Sequence, residues 1–364
     1  MTDSLDNNTP QAPHTGPESL PTRLLITGGA GFIGSAFVML ARVRWPDAEI
    51  VVLDALTYAG NLANLPDGRE AERITFVRGD ICSPSVVESA VQGCSHVVNF
   101  AAETHVDRSF TTPSAFVLTN IEGTRVLLEA AHRAGIARFL QVSTDEIYGE
   151  IAYPARASES APFRPGNLYA TTKATADALV LGHRDARGTT VVITRGSNTY
   201  GPRQYPEKLV PLVITNALEN EPIPVYGDGL QVRDWLHVTD HCEAIALALE
   251  RGEPGAIYNI AAENERSNLE VIEDIISLIG AQPSLIQHIA DRPGHDRRYA
   301  VTSDRIRALG WQPSVSYQEG LADTVRWYRS HEEWWQAIKS GAYRAYYEQQ
   351  YRERLGETER RGKL

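Results

Sequence analysis

The most informative part of the sequence is RLLITGGAGFIGS, residues 23–35. Its apolar start, Leu24–Ile26, predicts a short buried strand, and a helical stretch follows the glycines. Gly28, Gly31 and Gly34 permit a tight turn, let the backbone approach a pyrophosphate and let the helix pack closely on the strand. The positive end of the helix dipole would then face the phosphates. The stretch therefore predicts the first βα unit of a dinucleotide-binding sheet.

A second predicted strand, Ile50–Leu53, ends in an acidic residue. Asp54 lies 20 residues after Gly34, where a carboxylate can accept a hydrogen bond from the ribose 2′-hydroxyl of the dinucleotide. The same carboxylate would repel a 2′-phosphate. The pattern therefore predicts NAD, rather than NADP, as the cofactor.

The alternation of strands and helices continues along the chain. Apolar runs predict strands at 74–77, 97–100, 139–142 and 190–194, and apolar residues at helical spacing predict a helix over 119–134. Repeated βα units favour a parallel sheet with helices on both faces. The predicted fold class is therefore α/β: a Rossmann-type doubly wound parallel sheet with a smaller C-terminal substrate-binding lobe.

Proline and glycine become frequent after the last of these strands, and the predicted elements become irregular. We therefore expect an NAD-binding Rossmann domain over 22–202 and a lobe that mainly binds substrate over 203–351. Residues 1–21 are polar and proline-rich, which predicts a disordered tail, and 352–364 form a second polar tail. The Trp- and Tyr-rich segment 327–351 is interpreted as helices that pack on the body.

Two carboxylic acids follow the fifth predicted strand. Thr144, Asp145 and Glu146 lie where that strand opens into a loop, and ligands bind outside the carboxyl ends of such strands. Tyr169 and Lys173 are four residues apart, so on a helix they would share a face. A neighbouring ammonium lowers the pKa of a phenol, which would let Tyr169 move a proton at neutral pH. Taken singly, these features also fit solvated acids or a packed ring; together they indicate a catalytic site.

The composition is that of an ordinary globular protein, with 42% hydrophobic and 22% charged residues. A net charge of −11 argues against binding to nucleic acid or to an anionic membrane. The three cysteines, Cys82, Cys94 and Cys242, show no zinc-binding spacing, so no metal is expected and a reducing compartment is favoured. No apolar run reaches the ~20 residues of a membrane span, and the start does not read as a secretory signal. We therefore expect a cytoplasmic protein without nucleic-acid or membrane partners.

Several longer motifs point to one family. They are LTYAGNLANL (56–65), AAETHVDRS (101–109), TDEIYG (144–149), YPEKLVP (205–211), YGDGLQVRDWLHV (226–238), AENERSNLEV (262–271) and DRPGHDRRYA (291–300). With them, the chain resembles the extended short-chain dehydrogenase/reductase family from about Arg23 to Tyr351. Within that family it is similar to the nucleotide-sugar 4,6-dehydratases, and most to those that act on dTDP-glucose. The glycine-rich motif and the YxxxK pattern belong to the whole superfamily, whereas the Thr-Asp-Glu triplet separates dehydratases from epimerases.

The resemblance implies roles for a defined set of residues. Catalysis would use Thr144, Asp145, Glu146, Tyr169 and Lys173. NAD would contact Gly28, Gly31, Phe32, Ile33, Gly34, Asp54, Ala55, Leu56, Thr57, Asp80, Ile81, Phe100, Ala101, Ala102, Thr119, Tyr169, Lys173 and Thr199. The nucleotide-diphosphate sugar would contact Thr104, Thr144, Asn198, Lys208, Leu209, Pro224, Val225, Tyr226, Arg233, Asn268, His295, Arg298 and Tyr299, with Arg233 and Arg298 on the diphosphate.

The implied reaction oxidises C4 of the sugar, eliminates water across C5 and C6, and reduces C6. Tyr169 would take the proton of the C4 hydroxyl, with Lys173 and Thr144 assisting. Glu146 would remove the C5 proton, which the new ketone has made acidic, and Asp145 would protonate the departing C6 hydroxyl. The product would be a 4-keto-6-deoxy sugar. Related enzymes dimerise through a four-helix bundle, so the resemblance also implies a homodimer, here through 111–134 and 169–187.

Other functions stay open at this point. A UDP-glucose 4,6-dehydratase, or another nucleotide-sugar epimerase or decarboxylase, could share the scaffold, although the Thr-Asp-Glu triplet speaks against an epimerase. The intact Tyr169 and Lys173 speak against a non-catalytic nucleotide-binding protein. The chain departs from the family pattern at Thr199, where asparagine is common, and at 170–172, which read Ala-Thr-Thr.

Overall fold

The computed structural model describes residues 20–352 and Leu355, so most of the two expected tails, 1–21 and 352–364, lies outside the described residues. Its strands are β1 Arg23–Thr27, β2 Glu49–Asp54, β3 Ile74–Arg78, β4 His96–Asn99, β5 Arg138–Thr144, β6 Val191–Gly196, β7 Asn198–Tyr200, β8 Ile223–Tyr226, β9 Val232–His237, β10 Ile257–Ile260, β11 Glu265–Ser267 and β12 Ile286–Ile289. Seven of them form a parallel sheet in the order β10-β6-β5-β4-β1-β2-β3. This order confirms the predicted doubly wound sheet.

Helices cover both faces of the sheet. They are α1 Phe32–Arg44, α2 Pro84–Val91, α3 Val106–Thr111, α4 Pro113–Phe116, α5 Thr124–Arg133, α6 Leu168–Arg187, α7 Leu209–Leu218, α8 Val238–Arg251, α9 Asn268–Ile279, α10 Asp304–Ala308, α11 Tyr317–Ser330, α12 Glu332–Lys339 and α13 Ala342–Tyr347. A π-helical segment, Val117–Gly123, joins α4 to α5. Apolar residues of α1 and α8 bury one face of the sheet, and those of α2, α5 and α6 bury the other.

The second lobe is built on two small sheets. One has the order β11-β9-β7, and the other pairs β12 with β8. Its core lies between α7, α9 and α11 and includes the buried side chains of Trp235, Ile272 and Tyr328. Trp335 and Tyr351, in the C-terminal segment, are also buried. The interpretation of 327–351 as helices packed on the body is therefore confirmed.

The chain does not divide cleanly where the two domains were expected to meet. α8 packs on the main sheet, and β10 pairs with β6 as its outermost strand. Residues 238–260 thus belong to the first domain. The apolar strand β10, Ile257–Ile260, pairs with the edge of β6 there. Among the described residues, no helix combines the length and the apolar content that crossing a membrane requires.

Candidate active site

A deep cleft opens at the carboxyl ends of the central strands. Its lining includes nearly all the residues expected to bind cofactor: Gly28, Gly31, Phe32, Ile33, Gly34, Asp54, Ala55, Thr57, Asp80, Ile81, Phe100, Ala101, Ala102, Thr119, Tyr169, Lys173 and Thr199. Leu56 was expected with them but is not part of the lining. It adopts a positive φ of 52°, and its backbone N–H donates to Asp54 Oδ1 at 2.8 Å, so it contributes to the turn through its backbone.

The glycine-rich turn fits a dinucleotide because its backbone has no room for side chains. Gly28 has φ +66°, and a Cβ atom there would lie 2.7 Å from the backbone nitrogen of Ala101. A Cβ atom on Gly34 would lie 2.2 Å from the carbonyl oxygen of Gly28. These glycines therefore let α1 begin directly behind β1, with its N-terminus at the cleft.

The carboxylate of Asp54 braces this turn. Its Oδ2 accepts a hydrogen bond from the backbone N–H of Ala30 at 2.9 Å, and its Oδ1 accepts one from Leu56 at 2.8 Å. Burial raises the pKa of Asp54, and these two hydrogen bonds oppose the change. The side chain still lines the cleft at the end of β2, where the sequence placed it.

Thr144, Asp145 and Glu146 lie together at the end of β5. Thr144 is the N-cap of a short turn, Asp145–Tyr148, and its hydroxyl oxygen lies 3.3 Å from the backbone nitrogen of Glu146. Asp145 is 2% exposed, and its Oδ2 has no hydrogen-bond partner within the described chain. Burial, reinforced by the carboxylates of Glu146 and Asp234, raises the pKa of Asp145 to about 8. The acid is therefore mostly protonated at neutral pH and can donate a proton.

Glu146 is less buried than its neighbour and lies among opposite charges. Its Oε2 accepts a hydrogen bond from Asn167 Nδ2 at 3.2 Å. The cations of Lys208, Arg233 and Arg292 are all close enough to interact with its charge. Glu146 is therefore the candidate proton acceptor of the pair, and Asp145 is the candidate donor.

Tyr169 and Lys173 face the same cleft from α6. Lys173 is buried, and its Nζ donates to the carbonyl oxygen of Val142 at 2.7 Å. Burial lowers the pKa of Lys173 to about 8, and Asp177 opposes this change. The pKa of Tyr169 is raised by burial and by the charge of Glu146. This direction is opposite to the one expected from the sequence, because burial and the carboxylates outweigh the neighbouring ammonium.

The expected substrate residues fall into two groups. Thr104, Thr144, Asn198 and Lys208 line the cleft, and Lys208 Nζ donates to the carbonyl oxygen of Thr104 at 3.0 Å. The others belong to the second lobe and lie outside that lining: Leu209, Pro224, Val225, Tyr226, Arg233, Asn268, His295, Arg298 and Tyr299. Among them, Arg233 lies over the ring of Tyr299, with its guanidinium carbon 4.2 Å from the ring centroid.

Arg298 is not brought to the group around Glu146. Its guanidinium forms two hydrogen bonds to Glu265, at 2.6 and 2.9 Å, and two more to the carbonyl oxygens of Ile151 and Ala155. A guanidinium has five N–H donors, and four contacts to protein atoms leave little for a diphosphate. The structure therefore makes Arg298 a bridge between β11 and the loop after β5.

Arg292 is one of the second-lobe cations that the sequence suggested for a nucleotide diphosphate, and it lies near Glu146. Its Nη1 donates to Asp107 Oδ1 at 3.1 Å, and Tyr226 donates its hydroxyl to the other oxygen of Asp107 at 2.9 Å. Its Nε has no hydrogen-bond partner within the described residues. The DRPGHDRRYA motif contained this arginine, but spacing alone could not show which of its arginines lies near Glu146.

His241 is a residue that sequence reasoning missed. It lies on α8, lines the cleft and has Nδ1 2.8 Å from the hydroxyl oxygen of Thr199. That hydroxyl oxygen also lies within hydrogen-bond distance, 3.2 Å, of the carbonyl oxygen of Ser197. Burial lowers the pKa of His241 to about 4, and the ring is neutral. No local pattern indicated that α8 returns to the sheet beside Thr199.

A cation–aromatic cluster lies beside the cleft. The guanidinium carbon of Arg108 lies 3.8 Å from the ring centroid of Tyr58 and 4.1 Å from that of Tyr346. Arg108 Nε donates to the buried carboxylate of Glu207 at 2.8 Å, and Tyr58 packs edge-on against Tyr205. The cluster joins the loop after β2, α3, the loop before α7 and α13. No group of three or more His, Cys, Asp or Glu residues that could hold a metal ion occurs in the described part of the chain.

Comparison with known proteins agrees with this geometry. A family model described as GDP-mannose 4,6-dehydratase matches residues 25–324. The chain is 48% identical to a dTDP-glucose 4,6-dehydratase of Streptomyces niveus over 323 residues, which are 87% of this chain and 96% of that protein. It is 42% identical to the dTDP-glucose 4,6-dehydratase of Salmonella typhimurium, over 90% of this chain and 99% of that one.

Solved structures give the same result. The dTDP-glucose 4,6-dehydratase DesIV of Streptomyces venezuelae, solved with NAD bound, has a TM-score of 0.85 and 46% identity over 87% of this chain and 100% of that one. The UDP-glucose 4-epimerase of Thermus thermophilus, also solved with NAD, has a TM-score of 0.79 and 34% identity. The match covers 85% of this chain and 99% of that one. The resemblance inferred from the motifs is confirmed: the chain belongs to the GDP-mannose 4,6-dehydratase family of extended short-chain dehydrogenase/reductases.

Proposed function

We propose that this chain is an NAD-dependent dTDP-glucose 4,6-dehydratase, a hydro-lyase that forms dTDP-4-keto-6-deoxyglucose. The observation that carries the proposal is the pair of acids at the end of β5. Asp145 has a raised pKa, and Glu146 lies among cations, and both face Tyr169 on α6. A site with a proton donor and a proton acceptor side by side suits elimination of water. Curated relatives with 42% to 48% identity carry this activity in their names.

The cleft fits NAD along its whole length. We assign the pyrophosphate to the glycine-rich turn and the adenosine ribose to Asp54. Ala101 and Ala102 provide a wall of small residues, and Lys173 and Thr199 lie towards the catalytic end. Bound NAD⁺ supplies a hydride acceptor for C4 and, once reduced, the hydride for C6. Asp54 would face a 2′-phosphate with like charge, so the chain prefers NAD to NADP.

Each proton transfer is assigned to a different side chain. Tyr169 takes the C4 hydroxyl proton, and Thr144 donates a hydrogen bond to the C4 oxygen. Glu146 then takes the proton from C5, and the electron pair of that C–H bond forms the C5–C6 double bond as the C6–O bond breaks. Asp145 gives its proton to the departing oxygen, which leaves as water. The raised pKa of Asp145 suits its role as the proton donor.

Cations at the junction of the lobes suit the diphosphate of the substrate. We assign it to Arg233, with Lys208 and Arg292 nearby, since arginine forms paired hydrogen bonds to phosphate oxygens. Arg298 is omitted because Glu265 occupies its guanidinium. The remaining second-lobe residues, such as Tyr226 and His295, would hold the nucleoside.

We also propose that the protein is a cytoplasmic homodimer. Its described cysteines are free thiols, which suits a reducing compartment. Phe110, Val117 and Leu118 are 53%, 45% and 55% exposed on neighbouring turns of α3 and the π-helical segment. These segments lie beside α6, so a second copy could cover the apolar residues by pairing both helical layers.

The test is product formation by the purified protein. Incubation with dTDP-glucose should give a 4-keto-6-deoxy sugar without net consumption of NAD. The hydride taken from C4 in each cycle is returned to the sugar at C6. UDP-glucose should react much more slowly. Formation of a 4-epimer or loss of CO₂ from a uronic acid substrate would instead indicate an epimerase or a decarboxylase. Binding of NAD and nucleotide without any reaction would indicate a non-catalytic protein.

A further inference from the structure

Asn167 stands directly before α6 and uses both ends of its side-chain amide. Its Oδ1 accepts a hydrogen bond from the backbone N–H of Ala170 at 2.8 Å, and its Nδ2 donates to Glu146 Oε2 at 3.2 Å. Its φ and ψ, −144° and 169°, are the extended values of a helix N-cap. Because a backbone N–H can only donate, the orientation of the amide is fixed, and the NH₂ group must face the carboxylate.

We propose that Asn167 is a positioning residue for proton removal at C5. The proposal rests on the proposed function, in which Glu146 is the base. Asn167 holds one oxygen of the Glu146 carboxylate, and the other oxygen is left to take the proton. The same side chain fixes the start of the helix that carries Tyr169 and Lys173. Asn167 therefore fixes the position of Glu146, the base, relative to Tyr169, the tyrosine of the oxidation step.

Glu146 needs such a fixed partner because many charges surround it. Lys208, Arg233 and Arg292 attract it from the second lobe and its junction. The hydroxyl groups of Tyr169 and Tyr299 also face its charge. Attraction to three cations has little directional preference. A hydrogen bond from a rigid cap selects one carboxylate orientation, and proton transfer depends on that orientation.

Capping alone does not require asparagine here. A serine caps a helix equally well, and its hydroxyl would still accept from Ala170. Serine is shorter by one bond, however, and it lacks the second nitrogen donor that reaches Glu146. Asn167→Ser therefore removes the contact to the base while it keeps the cap. Asn167→Ala removes both.

The experiment compares these variants in the full-length protein with NAD and dTDP-glucose. Asn167→Ser should melt within about 1 °C of the wild type and keep its KM, but form product about five- to tenfold more slowly. Reduced cofactor bound to the enzyme should accumulate, seen by absorbance at ~340 nm, because C4 oxidation is unimpaired while removal of the C5 proton is slow. Exchange of solvent deuterium into C5 should slow by the same factor.

Two controls separate positioning from folding. Asn167→Ala should show the same kinetic defect and also a lower melting temperature. Ser316→Ala removes the N-cap of α11, where the hydroxyl accepts from the backbone N–H of Glu319, and should lower the melting temperature without accumulation of reduced cofactor.

The role is overturned if Asn167→Ser turns over like the wild type, or if it slows C4 oxidation as much as C5 exchange. A wild-type protein that forms no keto sugar would overturn the proposed function itself, and the role of Asn167 with it. A normal wild type beside an unaltered Asn167→Ser variant would overturn the role of Asn167 alone.

Discussion

Two adjacent acids of similar chemistry have different surroundings in this protein. Asp145 is almost completely buried, and its Oδ2 has no hydrogen-bond partner in the described part of the chain, whereas Glu146 is half-buried, accepts a hydrogen bond from Asn167 and lies near the cations of the second lobe. Burial favours the neutral form of Asp145, whereas Glu146 lies near cations. The proposed roles of Asp145 as acid and Glu146 as base therefore depend on where each side chain lies, and the role of Asp145 can be tested by varying the pH.

We expect product formation to fall above about pH 8, because Asp145 loses its proton there. Loss of this acid stalls the reaction after C4 oxidation, so bound reduced cofactor should increase as the pH rises. Deprotonation of Lys173, whose pKa is also about 8, would stall the reaction earlier and leave the cofactor oxidised. Absorbance at ~340 nm, measured between pH 6 and 10, reports the reduced cofactor. It therefore distinguishes deprotonation of Asp145 from deprotonation of Lys173.

The stability of Asp145→Asn provides the control for this assignment. The pKa of Asp145 is raised above the ~3.9 of an unfolded chain, so its stabilising contribution is full below that value and is lost as the pH rises towards about 8. Asparagine cannot ionise. The gain in melting temperature of Asp145→Asn over the wild type should therefore grow between pH 5 and pH 8.5. A constant difference would contradict the raised pKa.

Glu146→Gln should separate the elimination from the oxidation. Glutamine keeps the shape of the side chain but cannot take the C5 proton, whereas Tyr169 and Lys173 remain to oxidise C4. Stopped-flow absorbance should show reduced cofactor that persists, with little solvent deuterium in C5. Tyr169→Phe should form no reduced cofactor, because the proton of the C4 hydroxyl cannot leave. If Glu146→Gln also forms none while substrate still binds, Glu146 belongs to the oxidation step.

The two arginines that the sequence placed on the diphosphate should behave differently. Arg298→Ala removes two hydrogen bonds to Glu265, which keeps its ion pair with Arg156, so we expect a loss of about 2 kcal/mol of stability with little change in KM. Arg233→Ala should instead raise KM about tenfold. Arg297→Ala is the matched control, since its ion pair with Asp228 is exposed and should change neither quantity. A raised KM for folded Arg298→Ala would return that residue to the substrate site.

At the scale of elements, the C-terminal helices brace the cofactor turn. Trp334 on α12 donates its indole N–H to Asn64 Oδ1 at 3.1 Å. The buried Asn64 connects Trp334 to the glycine-rich turn, because its Nδ2 donates to the carbonyl oxygen of Ala30 at 2.9 Å. A residue far along the chain thus supports the glycine-rich turn through the loop after β2.

Trp334→Phe should weaken NAD binding about fivefold, because it removes this donor while it keeps most of the ring in place. Calorimetric titration of the protein with NAD would measure the change. Trp335→Phe is the control, since the neighbouring indole donates to Tyr328 within the core at 2.9 Å. It should lower the melting temperature and leave NAD affinity unchanged. Equal NAD affinity in Trp334→Phe and the wild type would show that the brace is not needed.

The sequence predicted those elements whose signals are local. The glycine turn, Asp54 at the end of β2 and the Tyr169–Lys173 pair each depend on spacings within one βα unit, and the structure places them as expected. Arg298 and His241 show the limit of such reasoning. Whether an arginine faces a phosphate or a glutamate, and whether α8 returns beside Thr199, depends on contacts between distant segments. The pKa of Tyr169 likewise depends on burial, which spacing does not report.

At the scale of the whole molecule, the cleft lies between a sheet that positions the reacting groups and a lobe that supplies cations. Residues 238–260 tie the two together, since α8 and β10 return to the sheet after β9 has joined the second lobe. α3 and the π-helical segment pack on α6, which carries Tyr169, and both leave apolar side chains exposed. A partner packed there would hold this helix from outside, so assembly and catalysis should be linked.

We therefore expect Leu118→Glu and Phe110→Glu to convert a homodimer into monomers, because each places a charge in an apolar contact between copies. Light scattering at micromolar concentration should show half the wild-type mass, and turnover should fall because α6 loses support behind Tyr169. Leu278→Glu is the matched control: Leu278 is 43% exposed on α9, away from α3 and α6, and its variant should remain a dimer. A wild type that is already monomeric would contradict the proposed assembly. Monomeric variants with full turnover would show that the dimer forms but that α6 does not depend on it.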